Sequence, residues 1–361
     1  MTIPRETPRL ARTALPIVAI LVFAAVVGAI VAVAGDTLGF DFLAYHSAAA
    51  RLLAGEPVYD LGFEASGAFG LFYYPPTFVP LILPFGLLSA TTAVWAWTVL
   101  LVGAFLVGVA VLPVSATVRW WTVLLAGLSW PFAYAVKLGQ VGPILFLGFA
   151  VGWRWLDDPL RLGLSGALGA AVKLQPGLIF VWALLTGRYR AVVAGAVALL
   201  VLSAVATLLA GTGAWADFIT LVRRVSDPIT TAHNFTPGAV AYQLGLSIDA
   251  ASLVQLASTV LALAAVLVAA RLAVSEASYL VAVVASQLLS PILWDHYAML
   301  LLLPVAYLLA AGRWWALAIP LATSVPLVSV TPAIVYPVVF WLTLVAVLAV
   351  GVRARAQEFA G

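Results

Sequence analysis

The chain has 361 residues, of which 65% are hydrophobic and only 9% are charged, and its mean hydropathy is +1.14. Soluble domains carry about 25% charged residues, so this composition excludes a soluble globular protein and predicts one integral-membrane domain over residues 1–361. The net charge of +3 is too small to indicate nucleic-acid binding. The chain has no cysteine, which excludes disulfides and thiolate metal sites, and its three histidines argue against a histidine-rich metal centre. We therefore expect neither a metal nor another cofactor.

The first predicted element is an apolar segment at residues 15–34, preceded by Arg5, Arg9 and Arg12. A cleaved secretory signal is an alternative, because Ala32-Val33-Ala34 resembles a cleavage site. The length of about 20 apolar residues favours a retained membrane anchor, since the hydrophobic regions of signal peptides usually run about 7–15 residues.

Apolar segments recur along nearly the whole chain, and several are too short to cross a hydrocarbon core of about 30 Å alone. They lie near residues 15–34, 78–88, 92–112, 120–136, 143–156, 163–172, 178–186, 191–211, 251–270, 278–289, 297–311, 314–329 and 333–351. This pattern predicts an all-α polytopic membrane protein with about 10–13 transmembrane or re-entrant helices.

The positions of lysine and arginine predict the orientation, because short cytoplasmic loops are enriched in both. The N- and C-termini are predicted to be cytoplasmic, and residues 35–76 and 212–250 are predicted to be extracytoplasmic loops. This topology requires residues 78–88 to be interfacial or re-entrant, since a full crossing there would reverse every later loop.

Two pairs of short apolar segments are interpreted as helical hairpins whose tips point outward. Glycine or proline interrupts the apolar run at both tips, Lys137-Leu138-Gly139-Gln140 and Lys173-Leu174-Gln175-Pro176-Gly177. An ionisable group among apolar residues is costly and usually serves a site or a pathway, so Lys137 and Lys173 are candidate ligand-binding residues. The alternative is that each lysine only extends its ammonium group to the membrane interface.

Two other patches contain candidate catalytic residues. Asp41 lies just after the first span in Gly39-Phe40-Asp41-Phe42, where an aromatic-flanked carboxylate suits general-base catalysis, although an ordinary loop aspartate is the alternative. His296 lies in Ser290-Pro291-Ile292-Leu293-Trp294-Asp295-His296-Tyr297. The alternative is that Trp294 and Tyr297 are aromatic residues at the membrane interface and that His296 makes an interfacial hydrogen bond rather than acting in catalysis.

The predicted topology brings nearly every unusual polar residue to the outer side, where these residues could line one cavity. They are Asp41, Lys137, Gln140, Lys173, Gln175, His233, Asn234, Asp295 and His296. The sequence contains no Walker loop, dinucleotide fingerprint or zincin motif. This absence fits a lipid-linked substrate that already carries its activation energy in a phosphate ester.

Five patches, in chain order, resemble glycosyltransferase family 87, whose members are polyprenyl-phosphate-dependent enzymes of the GT-C superfold. They are Asp41 with Tyr45 through Gly55 and Tyr59, then Tyr74-Pro75-Pro76, Gly139-Gln140, Lys173-Leu174-Gln175-Pro176, and Ser290-Pro291 with Trp294 and His296. The resemblance spans about residues 14–351. Members tend to show Asn-Gln-Ser where this chain has His233-Asn234-Phe235-Thr236, which leaves the role of the second external segment open.

The resemblance implies transfer of a hexose, with mannose as the first candidate, from a polyprenyl-phosphate sugar to a glycolipid or glycan acceptor. The reaction would take place at the outer face of a bacterial plasma (inner) membrane, in contact with membrane lipids. Asp41 would be the catalytic base and His296 would lie near the donor phosphate, and a single displacement would invert the anomeric centre without a metal. Cationic side chains would hold the phosphate and amides would hold sugar hydroxyls. The donor-binding candidates are Lys137, Gln140, Lys173, Gln175, Tyr45, Asn234 and Trp294.

The main alternative is a secondary transporter or a flippase for lipid-linked sugars, because such proteins also contain broken helices and buried charges near the membrane midplane. Transporters commonly have an internal repeat, and the two long external segments of this chain are not similar in sequence. A noncatalytic membrane scaffold would give no reason for the buried lysines. Consumption of a polyprenyl-phosphate sugar by the purified protein would separate an enzyme from both alternatives.

Overall fold

A computed structural model describes residues 9–62, 70–224 and 228–360. These described ranges form α-helices joined by 3-10 turns and loops, and they contain no β-strand. The α-helices are α1 (Arg9–Ala34), α2 (Phe40–Leu53), α3 (Val79–Ile82), α4 (Ala90–Val111), α5 (Ala116–Leu128), α6 (Trp130–Leu138), α7 (Gly142–Arg154), α8 (Pro159–Val172), α9 (Leu178–Leu185), α10 (Tyr189–Ala210), α11 (Gly213–Arg224), α12 (Pro237–Gln243), α13 (Ile248–Leu272), α14 (Ser275–Leu288), α15 (Leu302–Ala310), α16 (Ala318–Leu321) and α17 (Val335–Ala360). The predicted fold class, an all-α polytopic membrane protein, is confirmed.

Within the described part of the chain, five helices are long and apolar enough to cross a membrane, and the bent pair α6 and α7 would form a sixth span. The five spans are Ala14–Thr37, Ala90–Val111, Tyr189–Ala210, Ile248–Leu272 and Val335–Glu358. Shorter apolar helices lie at Pro76–Leu87, Gln175–Leu185 and Asp295–Ala310. The numerous apolar segments of the sequence are therefore a mixture of full spans and short helices.

Both predicted hairpins break at the predicted tips. Between α6 and α7, Gly139 takes a left-handed conformation with φ of 73°, which favours glycine. The helix axis bends by 119° at this break. Between α8 and α9, Lys173 has an extended backbone (φ −142°, ψ 142°), and a 3-10 turn at Gln175–Gly177 follows. Each tip therefore ends a helix at a lysine-bearing segment.

The first predicted external segment contains a helix where the sequence indicated a loop. In α2, the buried residues Phe42, Tyr45, Ala48 and Ala49 recur at helical spacing and pack into the core. The second external segment likewise contains the helices α11 and α12. The described parts of both segments are therefore largely helical, and their extracytoplasmic location stays a prediction.

The short apolar segment at Pro76–Leu87 cannot cross the membrane as one helix. At about 1.5 Å per residue, its length falls well below a hydrocarbon core of about 30 Å. Its length agrees with the interfacial or re-entrant position that the predicted topology requires.

The predicted orientation can be tested with single cysteines, because the chain has none of its own. Glu64, in the first predicted external segment, lies outside the described residues, so the exposed Glu56 is the better external site. In intact cells, an impermeant thiol reagent should label a cysteine at Glu56 and should label one at the exposed Gln357 only after permeabilisation. Labelling of position 357 in intact cells would contradict the topology.

Candidate active site

One cavity of about 1180 Å³ lies where α2, the tips of both hairpins and the segment before α15 meet. This volume exceeds the about 300–1,000 Å³ of typical small-molecule sites, so the cavity has room for more than one sugar ring. Ten of the polar or aromatic residues singled out in the sequence line it. They are Asp41, Tyr45, Lys137, Gln140, Lys173, Gln175, His233, Trp294, Asp295 and His296.

Close backbone contact between α2 and the end of α6 determines the position of Asp41. The amide N–H of Gly39 donates to the carbonyl of Lys137 at 2.7 Å, just before α2 begins. At Gly139, an added Cβ would lie 2.6 Å from the Cβ of Phe42, so only glycine permits this approach without a shift. The contact places Asp41, in the first turn of α2, beside the tip that carries Gln140.

A chain of hydrogen bonds then orients the Asp41 carboxylate. The Gln140 side-chain amide donates from Nε2 to Asp41 Oδ2, and its Oε1 accepts from Tyr74 Oη at 3.0 Å. Tyr74 Oη in turn accepts from Tyr45 Oη at 2.6 Å, and the Tyr74 carbonyl accepts from Tyr59 Oη at 2.8 Å. Gln140 and Tyr45, both predicted to bind the donor, therefore make hydrogen bonds that position Asp41.

Lys173 provides positive charge on the same cavity wall. Its Nζ donates to Tyr297 Oη and lies 4.0 Å from the centroid of the Tyr297 ring and 5.6 Å from that of Tyr74. Burial lowers the pKa of the Lys173 ammonium from 10.5 to about 7, and the charge of Asp41 partly opposes this shift. An anionic ligand in the cavity would restore the charged form.

His296 is buried beside the cavity with unused hydrogen-bonding capacity. Its side chain is 4% exposed, and neither ring nitrogen has a hydrogen-bond partner among the described residues. Nδ1 lies 3.6 Å from Asp295 Oδ1, and Asp295 is itself oriented by Trp130 Nε1 at 3.0 Å and by the His296 amide at 2.8 Å. Buried polar groups are normally paired, so the two ring nitrogens are candidate ligand contacts.

Asn234 does not line the cavity, and its position corrects the predicted contact with sugar. Its side chain donates to the carbonyls of Pro228 (2.6 Å) and Pro291 (3.0 Å). Its Oδ1 accepts from the amides of Thr236 and Leu293, both at 3.0 Å. All of its hydrogen-bonding capacity is used by backbone, so Asn234 joins the second external segment to the segment that carries His296.

The remaining predicted residues also line the cavity. Lys137 is half-buried, with Nζ 5.6 Å from the Tyr134 ring centroid, and Gln175 and Trp294 are also half-buried. His233 is exposed and has a backbone φ of 57°, and it is the one non-glycine residue with positive φ in the described ranges.

Sequence reasoning missed the tyrosines that connect these groups. The sequence indicated Tyr74 only as part of the Tyr74-Pro75-Pro76 patch and Tyr297 only as an interfacial aromatic residue. In the structure, the Tyr74 hydroxyl donates a hydrogen bond to Gln140 and the Tyr297 hydroxyl accepts one from Lys173. Tyr74 is 66 residues from Gln140 and Tyr297 is 124 residues from Lys173, so no local sequence pattern connects these partners. The only available signal was that Tyr74 precedes Pro75-Pro76 and that Tyr297 follows His296.

A second cavity of about 530 Å³ lies at the opposite end of α7 and is bordered by Trp153, Asp157, Asp158 and Glu276. None of the predicted site residues lines it, so the larger cavity is the candidate active site. Within the ranges that the structure describes, no group of three histidine, aspartate or glutamate side chains could hold a metal ion.

Comparison with known proteins identifies the family. The model of glycosyltransferase family 87 matches residues 72–304, which is more than half of the chain. The chain belongs to glycosyltransferase family 87. The predicted resemblance is thereby confirmed, and this family 87 member is a membrane glycosyltransferase with several apolar spans. Searches of curated proteins and of solved structures found no match.

The family 87 match covers part of the candidate site. Gln140, Lys173 and His296 lie inside the matched range, whereas Asp41 lies before its first residue. The roles of these four residues in catalysis therefore stay predictions, supported by their common position in one cavity.

Proposed function

We propose that this family 87 glycosyltransferase transfers a hexose from a polyprenyl phosphate to a glycolipid or glycan acceptor at the extracytoplasmic face of a bacterial plasma membrane. Mannose is the first sugar to test. The observation that carries the proposal is the arrangement of one cavity, where a carboxylate oriented by Gln140 shares the walls with Lys173 and the unpaired imidazole of His296.

The arrangement suits a single displacement. Asp41 takes the proton from an acceptor hydroxyl while that oxygen forms a bond to the anomeric carbon. The bond between the anomeric carbon and the phosphate oxygen breaks, and polyprenyl phosphate leaves with the electron pair. Lys173, Lys137 and His296 stabilise the negative charge on the departing phosphate. Because attack and departure occur on opposite faces, the anomeric configuration inverts.

The cavity border favours a lipid-linked donor. Phe40 and Leu174 both line the cavity, yet they are 43% and 66% exposed on the protein surface. In a membrane protein, such exposed apolar residues contact lipid, so they can also contact a polyprenyl chain beside the entrance. The absence of a nucleotide-binding motif in the sequence agrees with this donor class.

Lys173→Ala is expected to weaken donor binding by about 10- to 100-fold, because hydrogen bonds to charged groups contribute more than neutral ones. Lys137→Ala, at the tip of the other hairpin, should also weaken donor binding, but by a smaller factor. Arginine at either position can restore charge, although its planar group need not fit. Titration of each variant with a polyprenyl-phosphate hexose measures the dissociation constant. Parental affinity in both alanine variants would show that the two lysines do not bind the donor and that the hairpin tips have only a structural role.

Donor affinity should also depend on pH through Lys173. Burial lowers the pKa of its ammonium to about 7, and a bound phosphate would favour the charged form. Affinity should therefore be highest below pH 7 and should fall as the pH rises through this value. Lys173→Ala should reduce the dependence, and any remainder would come from His296, which faces the same site. An unchanged pH profile in Lys173→Ala would contradict this role of Lys173.

A deletion strain tests the proposed function in the cell. Its glycolipids and lipoglycans should lack one hexose that the parent strain adds, and the unmodified gene should restore that hexose. The Asp41→Asn gene should not restore it although the protein reaches the membrane. Glycolipid and lipoglycan profiles identical in the deletion strain and its parent would contradict the proposal.

A further inference from the structure

Tyr73 has a buried hydroxyl that no described residue satisfies. Tyr73 Oη is one of four buried side-chain nitrogen or oxygen atoms without a hydrogen-bond partner among the described residues. The others are Trp153 Nε1 and the two ring nitrogens of His296. Leaving such a group unpaired costs free energy, so an unpaired hydroxyl at a cavity wall is a candidate ligand contact. Tyr73 lines the cavity that contains Asp41.

Packing of the residues next to Tyr73 fixes its position at the cavity wall. Phe72 and Tyr74 are 5% and 8% exposed and pack against each other and against Phe78. Leu71, Tyr73 and Tyr74 all line the cavity. The packing of the inner residues therefore holds Tyr73 in place.

The neighbouring Tyr74 contacts both groups of the proposed reaction. Its hydroxyl donates a hydrogen bond to Gln140, and Gln140 orients Asp41. Its ring centroid lies 5.6 Å from Lys173 Nζ. Tyr74 therefore lies close both to the residue that orients the base and to the cation that would hold the phosphate. The transferred sugar must lie between these two groups, because its anomeric carbon exchanges the phosphate oxygen beside the cation for the acceptor oxygen beside the base.

We propose that Tyr73 binds the transferred sugar, with its phenolic hydroxyl making a hydrogen bond to one hydroxyl of that ring. This inference rests on the proposed function. A phenol can both donate and accept a hydrogen bond, as a sugar hydroxyl can, whereas the cationic residues suit the phosphate. Burial raises the pKa of Tyr73 to about 12, so the group stays protonated at neutral pH.

Tyr73→Phe tests the proposal by removing one oxygen atom. Because that oxygen has no hydrogen-bond partner among the described residues, the melting temperature should be unchanged or higher. The value of kcat/KM for the hexose donor should fall on the order of 10-fold, as expected for one lost neutral hydrogen bond. With a series of monodeoxy-hexose donors, one analogue should react equally well with Tyr73→Phe and with the parent, because the bonded hydroxyl is already absent.

Tyr279→Phe is the matched control. Its hydroxyl is buried and donates to the Phe149 carbonyl at 3.1 Å, and Tyr279 does not line the cavity. This variant should lower the melting temperature and leave kcat/KM near the parental value, which is the opposite pattern. Parental kcat/KM in Tyr73→Phe, measured with an active parent, would overturn the role of Tyr73 alone. A parent that transfers no sugar from the donor would overturn the proposed function and, with it, this inference.

Discussion

Asp41→Asn is expected to lower kcat by about 10²–10⁴-fold, which is the typical contribution of a general base. Asparagine keeps the shape of the side chain, and its Oδ1 can still accept the hydrogen bond from Gln140 Nε2. What is lost is the capacity to take the proton from the acceptor hydroxyl. The donor dissociation constant and the melting temperature should therefore stay near those of the parent. Steady-state kinetics with purified protein, together with donor titration, measures both.

Asp36→Asn is the matched control, because it makes the same chemical change at an exposed residue that does not line the cavity. It should have parental kcat. Asp295 lines the cavity and accepts a hydrogen bond from Trp130, so it is not a neutral control. Parental turnover in Asp41→Asn would contradict the assignment of the base.

His296→Ala is expected to lower kcat by about 10²–10³-fold, the usual loss when one group that stabilises developing negative charge is removed. Its effect should differ from that of Asp41→Asn, because a contact with the donor phosphate also contributes to donor binding. The dissociation constant of the donor should rise together with the fall in kcat. His296→Gln, which keeps a polar group of similar reach, should be impaired less than the alanine variant.

His46→Ala provides the comparison for a histidine away from the cavity. His46 Nε2 lies 3.0 Å from the Leu88 carbonyl oxygen, and His46 is absent from the cavity lining. Its alanine variant should retain parental donor affinity and kcat. A His296→Ala variant that loses turnover but binds the donor like the parent would exclude the phosphate contact.

Composition and helix breakers could predict most of the fold. The scarcity of charge indicates a membrane protein, and Gly139 and the Gln175–Gly177 turn mark the two hairpin tips. The helix α2 could not be recognised with the same ease, because its apolar face is short and includes Tyr45 and small alanines. Its helical structure becomes clear from packing, because the rings of Phe42 and Trp97 stack with their centroids 4.9 Å apart.

The candidate site could be predicted only as a set of residues. In so apolar a chain, polar residues such as Asp41, Lys173 and His296 are conspicuous, and the predicted topology indicated that they share one side. The partners of these groups could not be predicted, because Gln140 is 99 residues from Asp41 in the chain. The sequence also could not distinguish an amide open to sugar from Asn234, whose four hydrogen bonds to backbone depend on tertiary structure.

The most direct test of the proposed function follows a labelled hexose from its polyprenyl phosphate in liposomes that contain the purified protein and an acceptor glycolipid. The label should appear on the acceptor in inverted anomeric configuration, unmodified polyprenyl phosphate should accumulate, and Asp41→Asn should stop both changes. Intact donor that has only moved across the bilayer would instead indicate a flippase. That result, or equal transfer in liposomes without protein, would contradict the account.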